Sequence, residues 1–296
     1  MELKTLKNFV VVTQERNITK AAEVLNMTQP NLSRKMKELE NELGVVLFLR
    51  GKRGITLTED GLLLKQRVEE ILELSDKTEQ LFAQRGNIVN GTVSIGMAES
   101  LGTNKMADIM AGFSQKYPKV QYECYNSFAT DITEKIDRGL LAFGIILHPL
   151  HLSKFEYMQI DQGERWGILV AKTHPLAPRK TARFDDIINE RLILPKRAVA
   201  EGALYDWFGK GESDLDILAT YSIFSNTILL VERNMGCAIC NSGFLVTRNN
   251  PNVVFIPLVP ILTSRTVFIR KKERILTPTE SLFLQYVQSM LSEKSV

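Results

Sequence analysis

Residues Ala21 to Arg50 read AAEVLNMTQPNLSRKMKELENELGVVLFLR, and this stretch decides the fold of the N-terminal part. It spells a short helix, a tight break and a second helix with one apolar and one basic-polar face. Leu32, Met36, Leu39 and Leu43 recur at i, i+4, i+7 and i+11, a single stripe of a 3.6-residue period. Pro30, Asn31, Arg34 and Lys37 lie roughly opposite, with Gln29 and Ser33 on the flank. Thr28 stands at the N-cap position, and Pro30 is tolerated in a first turn whose amides have no partner within the helix. Such a helix suits insertion, N-terminus first, into a DNA major groove.

The surrounding segments extend this unit. Leu3 to Glu15 is apolar at Leu3, Leu6, Phe9, Val10 and Thr13, an amphipathic first helix, and Thr19 is read as the cap of the second. Leu47-Phe48-Leu49-Arg50 and Ile55-Thr56-Leu57-Thr58 are β-rich and flank Gly51-Lys52-Arg53-Gly54, a hairpin tip carrying two cations. The unit therefore reads as a winged helix-turn-helix over residues 1–58. Thr58 caps a long helix, roughly Glu59 to Arg85, with Leu64, Val68 and Ile71 in 4-3 spacing and Leu74, Leu81 and Phe82 beyond; no partner helix lies nearby, which favours dimerisation.

The pattern Ala21-Ala22, Leu25, Thr28-Gln29-Pro30, Ser33, Met36, Leu39-Glu40, Leu43-Gly44, Leu47-Phe48 and Arg50 resembles the N-terminal signature of LysR-type transcriptional regulators. Charge agrees: residues 1–58 hold ten Lys/Arg against six Asp/Glu, although the whole chain carries only +3. That excess sits where phosphate would be met.

Beyond Gly86-Asn87-Ile88-Val89-Asn90-Gly91, a hinge-like break closing a 59–91 linker, strands and helices alternate. Thr92–Gly96, Val120–Tyr125, Phe143–Leu147 and Trp166–Ala171 read as strands; Thr103–Tyr117, Asp131–Arg138 and a last Thr279–Leu291 read as helices. Alternation predicts a mostly parallel sheet with helices on both faces, and the class is α/β. Residues 92–296 resemble the LysR effector-binding half, which implies two α/β subdomains joined like a periplasmic binding protein, here about 92–161 plus 265–296, and about 162–264. The chain departs from the family at Gly139-Leu140-Leu141-Ala142-Phe143-Gly144-Ile145, where an Asp is usual, and at Cys240-Asn241, where Leu-Pro is common.

Candidate DNA contacts are Thr28, Gln29, Pro30, Asn31, Ser33, Arg34, Lys37, Arg50, Lys52 and Arg53. Arg34 suits bidentate contact to guanine O6/N7 and Gln29 or Asn31 to adenine; Ser33 and Arg50 suit phosphate, and Arg53 a minor groove. In doubly wound folds ligands sit beyond the carboxyl ends of strands, where amides open helices. Ser100, Thr103, Phe128, Thr130, Pro195, Phe224 and Asn226 occupy such places, and hydroxyls with free amides suit a small anion. The resemblance implies the same class of effector, commonly an organic acid, acting on a dimer or dimer of dimers.

The remaining signals mostly exclude. No nucleophile elbow, phosphate loop, HExxH or dinucleotide fingerprint points to an enzyme or a cofactor. No run approaches the ~18 to 20 apolar residues of a membrane span, and the N-terminus MELKTLKNFV lacks a basic-then-apolar leader, so a cytoplasmic location without membrane contact is expected. Cys237 and Cys240 fall in a helix-like apolar run and read as packing residues, and His148, His151 and His174 show no ligand spacing, so no metal is expected. A thiol-responsive regulator or a solute-binding module remain the alternative readings.

Overall fold

The computed structural model describes residues 1–51, 54–83, 90–148, 152–161, 163–196, 215–246 and 250–292. The chain divides into two compact units, Met1–Arg85 and Gly86–Val296.

In the first unit, α1 (Leu3–Glu15), α2 (Ile18–Val24) and α3 (Gln29–Leu43) are followed by a hairpin of β1 (Phe48–Gly51) and β2 (Gly54–Leu57), then α4 (Glu59–Ala83). Leu6, Phe9 and Val12 of α1 close on Ala21 and Ala22 of α2 and on Leu32, Met36 and Leu39 of α3. Alanine at both α2 positions lets the helices approach closely. Leu43 continues the stripe but is 38% exposed, because it is the last residue of α3 and the chain turns at Gly44, φ +70°, a left-handed C-cap.

Two capping expectations change. Asn17, not Thr19, caps α2: its Oδ1 accepts from the amides of Thr19 (2.9 Å) and Lys20 (3.2 Å), because the acceptor must precede the free amides it serves. Thr28 stands at the N-cap of α3 but makes no side-chain cap bond. Thr58 does cap α4, accepting from the Gly61 amide at 2.9 Å while donating to the Val46 carbonyl at 2.7 Å.

Val68 of α4 is buried against the winged unit, with Leu64 and Leu72 beside it. Leu63 (56% exposed), Ile71 and Leu74 form a second stripe, within about 80° of arc by helical geometry. The expected grouping of Ile71 with Leu64 and Val68 is thus corrected: Leu72, at i+4 from Val68, is the partly buried residue that packs against the core. The helix end beyond Ala83, residues 86–89 of the expected hinge and the side chains of Leu81 and Phe82 lie outside the described residues.

The second unit is built on one sheet ordered β4-β3-β5-β12-β7-β10-β8-β9, with β6 paired to β12 and β11 to β7. Its first lobe holds β3 (Gly91–Met97), α5 (Leu101–Lys116), β4 (Val120–Asn126), α6 (Ala129–Asp137), β5 (Phe143–His148) and β6 (Phe155–Gln159). Its second holds β7 (Glu164–Ala171), α7 (Phe184–Ile187), β8 (Leu192–Pro195), β9 (Ile217–Tyr221), α8 (Ile228–Glu232), β10 (Cys237–Asn241), α9 (Gly243–Val246) and β11 (Val253–Pro257). The return strand β12 (Thr263–Lys271) pairs with β7 at Thr263 and Ser264, then with β5 and β6, and α10 (Pro278–Ser292) ends the fold.

The sheet is mixed rather than mostly parallel. Local strand–helix alternation makes β3, β4 and β5 parallel, and likewise β8, β9 and β10. The long strands β7 and β12, which carry the chain between lobes, run antiparallel to their neighbours. Helices cover both faces as expected: Phe113 of α5 and Phe283 of α10 pack on Phe143 and Phe268, while Ile132 and Ile136 of α6 pack on Ile146 and Ile269. No helix among the described residues is long and apolar enough to cross a membrane.

Candidate functional site

The face of α3 opposite its buried stripe is open to solvent. Thr28, Pro30, Arg34 and Lys37 are exposed, and Gln29, Asn31 and Ser33 are half-buried. Arg34 donates from Nη2 to Asn31 Oδ1 at 3.5 Å, and its Nε lies 3.7 Å from Glu38 Oε1. Both contacts are long and solvent-screened, so the guanidinium gives up little on turning to another acceptor. Lys37 Nζ lies 3.9 Å from Glu40 Oε2. The backbone of Arg50 is in β1, opposite Ile55. Its side chain, and all of Lys52 and Arg53, lie outside the described residues.

Two positioning contacts escaped the sequence reading. Glu40 of α3 accepts from the amides of Leu47 (2.8 Å) and Phe48 (3.3 Å), fixing the first wing strand to the reading helix. Arg16, in a left-handed turn at φ +50°, accepts from the Ile55 amide at 2.9 Å and so holds the second wing strand. Gly54 permits this approach, since a Cβ there would lie 2.7 Å from the Arg16 carbonyl oxygen. An acid flanking the stripe, eight residues before a strand, is the only local sign of the Glu40 contact.

In the second unit, β3 and β4 run parallel with Met97 opposite Asn126, so Ser100 and Thr130 follow the carboxyl ends of neighbouring strands. Ser100 is buried; its hydroxyl is 3.3 Å from that of Thr103, which donates to the Ala98 carbonyl at 3.0 Å. Neither Ser100 nor Phe128, the N-cap residues of α5 and α6, makes a side-chain cap bond. Thr130 is exposed and Phe128 38% exposed. In the second lobe Pro195 and Phe224 are buried and Asn226 is exposed.

Carboxylates link the lobes at this mouth. Glu99 Oε2 accepts from the Phe224 amide at 2.6 Å, and its Oε1 accepts from the Ser225 hydroxyl. Glu164, which opens β7 and is 1% exposed, accepts at Oε1 from the Leu101 amide (2.5 Å) and the Thr266 hydroxyl (3.2 Å). Gly243 of the second lobe packs against the other oxygen; a Cβ there would lie 2.6 Å from the Leu101 nitrogen. Burial pushes the Glu164 carboxyl up to about 7; the Leu101 amide opposes the shift, and the nearby Asp161 charge adds to it. The amides expected to be free for an anion at Leu101 and Phe224 are therefore engaged by the chain's own acids. Neither acid was a predicted site residue, though a Glu opening the buried strand ERWGILVA is a visible signal.

Cys237 and Cys240 lie on β10, not on a helix. Their odd separation on a strand sends them to opposite faces, Cys237 toward Ile168 and Leu192, Cys240 toward Leu169 and Phe224. Two thiols so directed cannot bond to each other without backbone movement. Among the histidines, His151 is outside the described residues and His148 ends β5. The fold gives His174 the neighbours that its sequence spacing hid: Cys237 Sγ at 3.6 Å and Glu190 Oε2 at 3.3 Å from Nε2.

Comparison with known proteins places both units. Residues 87–292 match the family described as LysR substrate binding domain, and residues 3–62 the bacterial regulatory helix-turn-helix protein, lysR family. The chain is 30% identical over 298 residues to the Hca operon transcriptional activator HcaR of Escherichia coli (strain K12), covering 99% of each. Its fold is similar to that of CbnR, a LysR family transcriptional regulator, at a TM-score of 0.75 and 22% identity over 98% of this chain and 99% of that one. A structure of full-length CbnR complexed with its target DNA gives 0.73 at 21% identity, over 98% and 100% of the two chains. A reading helix with its wing, joined to a two-lobed α/β sheet and matched by family over almost its whole length, makes this chain a member of the LysR family of DNA-binding transcriptional regulators.

Proposed function

We propose that this regulator works as a homodimer, or a pair of dimers, that sets α3 of successive protomers into successive major grooves and changes their geometry when a small effector enters between the lobes. The unsatisfied apolar stripe Leu63, Ile71 and Leu74 on α4 supports the dimer, since water-exposed leucines at helical spacing gain most from a partner helix. Arg34, Gln29 and Asn31 are assigned base contact, Ser33 and Arg50 phosphate contact, and Arg53 a minor groove.

The observation that carries the effector reading is the Glu99 latch. Its carboxylate already occupies an amide and a hydroxyl at the second lobe, which marks those donors as an acid-binding pair. We assign the effector as a small organic acid that exchanges with Glu99 at Phe224 and Ser225, with Ser100 and Thr130 at the same mouth. Exchange releases one link between the lobes, which couples occupancy to shape. Affinity is modest, because the incoming acid meets the displaced one. Calorimetric titration of the full chain with a panel of organic acids, beside Glu99→Gln, tests this: the neutral variant should bind the best acid more tightly than wild type. Equal or weaker binding would remove the exchange, and a cationic or neutral best ligand would remove the effector class.

A further inference from the structure

Outside the reading head and the effector mouth, one cluster in the second lobe gathers three ligand types from three separate elements. His174 lies in the turn after β7, Glu190 in the turn before β8, and Cys237 at the start of β10. One donor atom from each, Nε2, a carboxylate oxygen and Sγ, lie within 4.8 Å of one another. Cys237 is buried, His174 nearly so at 11% side-chain exposure, and Glu190 reaches solvent at 30%, so the cluster has a floor and an open side.

We infer that His174, Glu190 and Cys237 form a binding site for one thiophilic divalent cation, zinc(II) by preference, with solvent as fourth ligand. The edge lengths are the argument. Zinc bonds of about 2.0–2.1 Å to nitrogen, 2.0–2.2 Å to carboxylate oxygen and 2.3 Å to sulfur give tetrahedral N···O and N···S edges of about 3.4 and 3.6 Å. The observed separations are 3.3 Å from His174 Nε2 to Glu190 Oε2 and 3.6 Å from Nε2 to Cys237 Sγ. The Glu190–Cys237 edge is at most 4.8 Å, and Glu190 is the more exposed, adjustable member. Thiolate, imidazole and carboxylate together suit zinc better than magnesium or calcium, which take oxygen donors.

The proton balance is simple. The buried Cys237 thiol is pushed up to about 12 and carries its proton until a cation replaces it, so each cation bound releases one proton. The Leu176 amide donates to His174 Nδ1 at 3.2 Å, placing the ring proton on Nε2; on coordination that proton moves to Nδ1 and the Leu176 amide gives up its acceptor. This rearrangement lowers affinity below that of a fully prepared site. The cluster sits where β10 begins, whereas the effector mouth lies beyond strand ends, about 13 Å further along at Asn241. Cation binding is therefore separable from effector binding.

The test uses chelator-stripped full-length protein titrated with cobalt(II) and zinc(II). Wild type and Cys240→Ser, which removes an equally buried thiol outside the cluster, should each bind one cobalt per chain with a thiolate-to-cobalt charge-transfer band and release one proton. Cys237→Ser should lose that band, and Glu190→Gln, at a half-exposed position that keeps the fold, should weaken cobalt affinity at least tenfold. Zinc should raise the Tm of wild type and leave that of Glu190→Gln less affected. A wild type without the band, or uptake that Cys237→Ser and Glu190→Gln leave unchanged, would overturn the site and leave a cluster held by hydrogen bonds alone.

Discussion

Glu99 accepts the Phe224 amide at 2.6 Å, a bond between lobes formed across 125 positions of sequence. Because the same carboxylate also takes the Ser225 hydroxyl, its removal should cost more than a surface contact does. In a double-mutant cycle of Glu99→Ala and Ser225→Ala, unfolding in urea should give a coupling of about 1 to 2 kcal/mol. Additive losses would mean that the two side chains act independently and that no latch exists.

Glu164 gives the effector unit a pH signature. The unfolded chain loses this proton near the ordinary carboxyl value of 4.5, the folded one only at about 7. Across that window the folded state binds more protons, so stability falls as pH rises through it and levels off above. Relative to Glu164→Gln, wild type should lose about 3 kcal/mol between these limits, given ~1.4 kcal/mol per pKa unit. Urea midpoints of both proteins, taken at several pH values, measure the difference; a constant difference would return Glu164 to an ordinary carboxyl.

Arg34→Ala should weaken binding to the cognate operator by about 1 to 3 kcal/mol, with a much smaller loss on random DNA. Its side chain is exposed and supports no core residue, so thermal stability should stay within about 0.5 kcal/mol of wild type. Fluorescence anisotropy on both DNAs decides: an equal loss on each would make Arg34 a phosphate contact.

Leu63→Glu combined with Leu74→Glu should shift the chain toward monomer without unfolding the winged unit, because neither residue faces its core. Sedimentation velocity reads the shift. An unaltered assembly state would place the main dimer contact away from α4.

The reading helix was legible because its signal is local: Leu32, Met36 and Leu39 fall on one stripe, and the wing follows from β-rich segments around glycine. The alternation of strands and helices likewise gave the α/β class, whereas the two lobes were an expectation carried by the family resemblance. The contacts that shape the mouth were not legible. A carboxylate can serve any exposed amide, and Glu164 finds that of Leu101 from 63 positions away, so no spacing rule reveals the pair. The segment Cys237 to Cys240 carried no decisive period; pairing with β7 and β8 made it a strand and put its thiols on opposite faces. His174 met Cys237 for the same tertiary reason.

The wing is pinned at both strands, one to Glu40 and the other to Arg16, so each protomer presents its helix and hairpin as a stiff template. A template of that kind reads a fixed footprint, and it cannot stretch to follow a misplaced half-site. In the proposed dimer the adjustable quantity is the interval between footprints, set by how the two protomers are joined and by twisting or bending of the DNA. Operators with about five base pairs inserted, half of the 10 to 10.5 that make one turn, would turn the second footprint to the far side of the duplex. For the proposed dimer, spacer length then becomes a dimension along which operators would be tuned.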